Sequence, residues 1–208
     1  MEESIKEWFQ MGTAIAIGVA GFGYGIRSVL KFFRKNKTQK NEEKFNYVNM
    51  KIWNTITDVK TLGVASRVSV TQFHNGGKLV DGSSMRRMSI TSQCCDPKVS
   101  STMQFRQDVL VSRFVEIIEF LQENDSKIRL VSQLHDSNTK KFYEMHDTVA
   151  ISILPIYCPS SMVAYGYISV EWNDLGNLNK VDDKTFLPYL ENARDNIAFL
   201  LGSAKDYR

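Results

Sequence analysis

Residues 148–172, TVAISILPIYCPSSMVAYGYISVEW, decide how this chain folds. Two runs, Thr148–Tyr157 and Ala164–Trp172, are rich in Ile, Val and Tyr and flank a Pro-Ser-Ser loop. β-branched and aromatic runs bounded by such a loop read as strands. Their close spacing suits an antiparallel pair in the middle of a sheet.

Outward from that pair, the pattern alternates between helix and strand. Upstream, Phe45, Val48, Ile52, Ile56, Val59 and Leu62 recur at spacings of three and four, the mark of an amphipathic helix, which Gly63 ends. Ser66–Phe73 alternates as a strand, and His74-Asn75-Gly76-Gly77 carries turn chemistry. Met85–Cys95 is a second strand, with Met88, Ile90, Ser92 and Cys94 assigned inward. Phe105, Val109, Leu110, Phe114, Ile117, Ile118 and Leu121 form a further helical stripe that stops near Asn124-Asp125, and Ile128–Leu134 is a short strand or turn. Downstream, Leu187, Leu190, Ala193, Ile197, Leu200 and Leu201 face inward on a last helix. Pro188 belongs in its first turn, which makes Thr185 the N-cap, whereas an earlier start at Asp182 or Asp183 would need a kink; Gly202 is its stop. The order predicts an α+β domain with an antiparallel sheet and helices packed on one face.

Ahead of the domain, Trp8–Ile26 is nineteen residues without a formal charge. About twenty apolar residues in a helix cross a bilayer core, so this reads as a transmembrane anchor. The preceding MEESIKE is acidic and lacks the basic start and small-residue cleavage site of a signal peptide, which makes the anchor an uncleaved one. The expected organisation is a tail (1–7), a transmembrane helix with its basic flank (8–30), a polar basic linker (31–44) and one domain (45–208). Six cations fall between Arg27 and Lys40, among them Lys31, Arg34 and Lys35. Cation excess keeps a flank cytoplasmic, which argues for a cytosolic domain, and the same residues can grip anionic headgroups. Ala14 and Gly18, Ala16 and Ala20, and Gly21 and Gly25 each lie four apart, a spacing that lets helices approach closely in the membrane. Self-association is the functional reading of that ridge. The abundance of Gly in membrane helices is the plain one.

From Phe45 to Arg208 there are 18 basic and 18 acidic residues, whereas residues 1–44 carry 8 and 5. A neutral domain argues against a nucleic-acid partner. Cys94, Cys95 and Cys158 form no disulfide framework and read as buried thiols. His135 and His146 are eleven apart with no helical pairing, so no metal is expected, nor any cofactor. No phosphate loop or nucleophile motif occurs, and no enzyme is expected. The residues proposed for ligand or partner contact are His74, Asn75, Arg86 and Glu171, although a His beside an Asn-Gly turn is also ordinary turn structure.

The Pro closing one strand in Leu154-Pro155-Ile156 and the Gly opening the next in Gly166-Tyr167-Ile168 resemble a GAF domain, over residues 45–204 as a pattern. That resemblance implies a small-ligand site or a dimerisation module. The architecture, with Tyr157-Cys158-Pro159, Ala164–Trp172 and the terminal Gly202-Ser203-Ala204-Lys205, is also similar to the holins of T-even-type phages. This second resemblance implies a self-associating lysis protein of the host inner membrane, whose domain is periplasmic and regulates timing or binds a partner. That is the expected function, since it explains anchor and domain together; a cytosol-facing, membrane-tethered ligand-sensing or scaffolding module is the alternative. The expected partners are therefore the bilayer, further copies of the chain, and a regulatory protein or small ligand.

Overall fold

The computed structural model describes residues 42–78, 84–159 and 163–205. The chain divides into two units, Met1–Asn46 and Tyr47–Arg208, and of the first only the helical residues 42–46 are described. The anchor expected at 8–30, with Ala14, Ala16, Gly18, Ala20, Gly21 and Gly25 and the flanking Arg27, Lys31, Arg34 and Lys35, lies outside the described residues. Among the described residues, no helix is long and apolar enough to cross a membrane.

Six strands form one sheet: β1 (Arg67–Lys78), β2 (Ser84–Cys95), β3 (Val109–Leu110), β4 (Arg129–Leu130), β5 (Ala150–Tyr157) and β6 (Ala164–Trp172). Their order is β3-β2-β1-β6-β5-β4, and every pairing is antiparallel. The sequence that decides the fold thus supplies β5 and β6, and β6 sits centrally against β1.

One face of the sheet carries the larger apolar core. Helix α1, described over residues 42–62, lays Val48, Ile52, Ile56 and Val59 onto it. The last helix brings Phe186, Leu190, Ala193 and Ile197 to the same core, where they meet Val68, Val70, Leu154, Ile168, Val170 and Trp172. Each such side chain contributes about 1.5–3 kcal/mol by leaving water. Trp172 spans the layers, its ring edge-on to Phe186 and its Nε1 donating to the Gly63 carbonyl at 2.8 Å.

The other face is not bare, which corrects the expectation of helices on one side. Helices α2 (Val115–Glu123) and α3 (Asn138–Met145) cover it, burying Ile117, Phe120 and Tyr143 against Met88, Ile151, Ile153 and Tyr167. The long helix expected from Phe105 does not form. A 3-10 turn (Met103–Arg106), strand β3 and a second 3-10 turn (Val111–Arg113) precede α2. Asp108 has a positive φ of 54°, and Leu110 is extended to pair with Arg87, so the apolar spacing there imitates a helix without being one. Helix α3 was not foreseen, because its stretch is polar; Ser137 caps it by accepting from the Lys140 N–H.

Two further boundaries move. β1 runs through the expected turn to Lys78, with His74 opposite Arg87 and Asn75 opposite Arg86. An extra β2 residue enters the ladder where Val70 and Thr71 face Ser92 and Ile90. Side-chain alternation is therefore reversed past this bulge, and Met88 and Cys94 enter different cores rather than one. After the short helix α4 (Leu175–Leu178), helix α5 spans Asp183–Lys205, starting earlier and ending later than predicted. Asp182 makes the early start: its side chain accepts from the Lys184 N–H and the Thr185 hydroxyl. Pro188 then lies inside the helix, and Gly202 is no stop.

β1 and β6 approach closely at Gly166, where a Cβ would come within 1.8 Å of the Thr71 carbonyl oxygen. Gly166→Ala should cost more than about 2 kcal/mol in chemical denaturation of the full-length protein, since backbone rather than a side chain must shift.

Candidate functional site

The two central strands alternate apolar and polar residues, and their polar sides meet on the face beneath α2 and α3. In the ladder, Arg67 faces Glu171, Ser69 faces Ser169 and Thr71 faces Tyr167. All six are buried. An edge-to-edge polar patch at the centre of a sheet is costly unless each group finds a partner.

Much of the patch is satisfied. Arg67 forms an ion pair with Glu171, both fully enclosed, and donates through Nη2 to the Ser100 carbonyl at 3.0 Å. Thr148 adds its hydroxyl to Glu171 at 3.2 Å. Gln93 clamps the segment that crosses the patch: its Nε2 donates to Ser69 and Thr102, each at 2.8 Å, and its Oε1 accepts from the Thr102 N–H. Gln107 fastens the far end by donating to the Ile90 carbonyl at 2.8 Å.

This strap delivers Arg106 into the interior, where it is only 1% exposed. Its guanidinium carbon lies 3.9 Å from the Phe142 ring centre and about 5 Å from those of Phe114 and Tyr143. Nη1 donates to the hydroxyls of Tyr167 at 3.1 Å and Tyr143 at 3.5 Å. Among the described residues it has no carboxylate partner, and its Nε and Nη2 bond to nothing. Burial works against its charge, but Tyr143, Tyr167 and Glu171 outweigh that and hold its pKa above the ordinary arginine value. Burial likewise pushes the Tyr143 hydroxyl up, so it stays protonated.

His146 packs beside this cluster, its ring 4.7 Å from Phe142 and 5.1 Å from Phe105. The Asn173 amide holds it by donating to the His146 carbonyl at 2.8 Å, and its Nε2 is buried without a partner. Burial first, and then the charge of Arg67, lower its pKa. The hydroxyls of Thr71 and Thr139 are also buried and unpaired.

Of the four residues picked from the sequence, only Glu171 belongs here. His74 lies seven residues along β1 from Arg67, roughly 23 Å away at about 3.3 Å per residue. It is 40% exposed in its side chain, 3.0 Å from the Ser89 hydroxyl and 3.9 Å from Asp108. Asn75 and Arg86 pair in the ladder at that same end, and Arg86 is exposed. The four therefore do not converge. Arg67, Arg106 and Tyr143 escaped the sequence reading, and His146 was weighed there only as a metal ligand; a lone Arg between Val68 and Ser66 at a strand start was the one signal available for the first. No group of His, Cys, Asp and Glu fit to hold a metal occurs among the described residues.

An open groove of about 290 Å³ runs between α2 and β4. Its main cation, Arg129, stacks on Phe120 at 4.5 Å and is neutralised by Glu123 and Asp125. The buried polar cluster around Arg106, with its unmet donors, is the stronger site.

Comparison with solved structures places this architecture. No protein-family model and no curated protein matches the chain by sequence. The fold is nonetheless shared with a far-red cyanobacteriochrome photoreceptor, at a TM-score of 0.56 and 13% identity over 85% of this chain and 99% of the other. The phycoerythrobilin-bound GAF domain of a cyanobacterial phytochrome gives 0.55 and 13%, over 82% and 93%. The GAF domain of a two-component sensor histidine kinase from Bacillus halodurans gives 0.53 and 16%, over 80% and 96%. The domain has the GAF fold.

Glu171→Gln leaves Arg67 charged and alone in the interior, and should cost about 3–5 kcal/mol in denaturant unfolding. Arg67→Met combined with Glu171→Leu should recover most of that loss. For His146, the unfolded chain takes up a proton near the ordinary 6.5, before the folded chain does. The stability held by the neutral ring is thus intact above that value and is lost as pH falls below it. His146→Phe should make the decline on acidification shallower, as thermal unfolding across pH will read.

Proposed function

We propose that this chain is a membrane-tethered sensing module that acts by binding rather than catalysis. Its GAF-type domain holds a small ligand at the buried cluster of Arg67, Arg106, Tyr143, His146 and Glu171, and the apolar segment 8–26 keeps it at the bilayer. The cation excess after that segment favours the cytosolic side. The observation that carries this reading is the buried polar patch itself. A domain of this size could fill that space with apolar side chains at no cost to its core, and instead keeps charged and hydroxyl groups there. The fold supports it too: of the solved structures that share it, one is a photoreceptor, one holds phycoerythrobilin and one comes from a sensor kinase. A ligand that binds the folded state alone raises the melting temperature. Full-length protein in detergent, melted against a panel of nucleotides, cyclic nucleotides, amino acids, organic acids and tetrapyrroles, should show at least one saturable rise. A flat response across the panel defeats sensing and leaves a scaffold.

The lysis reading rests on a different observation, the Tyr157–Trp172 stretch together with the small-residue ridge from Ala14 to Gly25. Under it, induced expression in bacteria halts growth abruptly with loss of membrane potential. Continued growth at full potential removes it.

A further inference from the structure

Counting charge in the cluster leaves a surplus. Arg67 and Arg106 are both cations, because a guanidinium keeps its proton in a protein. Among the described residues Glu171 is the single carboxylate bonded within the group, and it serves Arg67 and Thr148. Glu116, buried on α2, accepts from the Ser137 hydroxyl and bonds neither arginine. One positive charge therefore has ring faces and two tyrosine hydroxyls as its direct contacts, with no carboxylate bonded to it among the described residues.

The unbonded atoms of Arg106 are not a random pair. Nε and Nη2 lie on the same edge of the guanidinium, and their N–H bonds run parallel. That edge matches two oxygens of a carboxylate or phosphate, bonding both at once. Nη1, at the other end, is the nitrogen fixed by Tyr143 and Tyr167. The tyrosines thus set the orientation of the fork and leave its other edge, buried among protein atoms, without a hydrogen-bond partner. The two orphan hydroxyls flank the same tyrosines: Thr71 is opposite Tyr167 in the ladder, and Thr139 is one helical turn before Tyr143. A water could meet those hydrogen bonds, but it could not neutralise the charge.

We infer that the ligand of this cluster carries a carboxylate or phosphate group, and that the free edge of Arg106 binds it. This rests on the sensing reading above and adds the chemical class of what is sensed. A lone buried cation costs stability until its counter-charge arrives, so anion binding and domain stability are coupled at this one residue.

The test melts full-length protein in detergent at constant ionic strength, replacing chloride stepwise by acetate in one arm and by inorganic phosphate in the other. The wild-type midpoint should rise saturably in at least one arm, by roughly 5–10 °C at a hundredfold excess over Kd. Which arm acts at lower concentration tells carboxylate from phosphate. Arg106→Met should melt no lower than wild type in chloride and lose the rise. Arg106→Lys, which keeps the charge without the fork, should respond more weakly than wild type. The inference is overturned if neither anion moves the wild type, or if both move Arg106→Met equally. It is also overturned if Arg106→Met melts far below wild type in chloride while Arg106→Lys restores the midpoint, because Arg106 is then a structural post. Should a neutral or cationic compound stabilise the protein while anions do not, sensing stands and the anionic class falls; if nothing stabilises it, both fall.

Discussion

The ion pair of Arg67 with Glu171 joins the two central strands at a point that water does not reach, and much of the far face follows from it. Two charges side by side in a poorly polarisable interior are tolerable only when both are bonded on several sides. Ser100 and Thr148 supply those further bonds, which draws the segment after β2 and the start of β5 over the sheet. The Gln93 clamp continues the same work one step along. By the time the strap reaches Arg106, its course is fixed by polar contacts, and Phe114, just ahead of α2, and Phe142 of α3 close around the arginine.

The sheet therefore separates two kinds of chemistry. Beneath α1 and α5 the interior is aliphatic and aromatic, of the sort that supplies most folding free energy. Beneath α2 and α3 it is mixed, with hydroxyls, guanidinium groups and a carboxylate among Phe and Ile. Stability can be concentrated on the first face because Trp172, Phe186 and the α1 stripe are independent of the cluster. The second face is then free to hold groups that burden the fold. Local weak points of this kind are where proteins keep their responsive parts.

How much of this was legible beforehand depends on which residues carried periodicity. β5 and β6 could be read almost to the residue, because uninterrupted Ile, Val and Tyr have no other good home. The helices over the first face were legible for the same reason. The region from Phe105 to Leu121 misled because its apolar spacing fits a helix, while Asp108 and Phe114 adopt backbone angles that no helix contains. Helix α3 was hidden by its polar composition, being fixed by the Ser137 cap and one buried tyrosine. The site was harder still. Glu171 was picked, but its partners lie far away in sequence, and a strand arginine looks the same on paper whether it faces solvent or a carboxylate. Pairing across 104 positions is a property of the register, not of any local run.

Both rims of the sheet are formed by strands of two residues, β3 and β4. Each pairs with only two residues of its longer neighbour, Arg87 and Met88 of β2 and Ala150 and Ile151 of β5, so among the described residues most of the outer edge of both long strands carries no strand partner. On the β2 side the strap does part of what a longer rim strand would do, its Gln107 amide taking up the Ile90 carbonyl and so occupying a place where a foreign strand would otherwise dock.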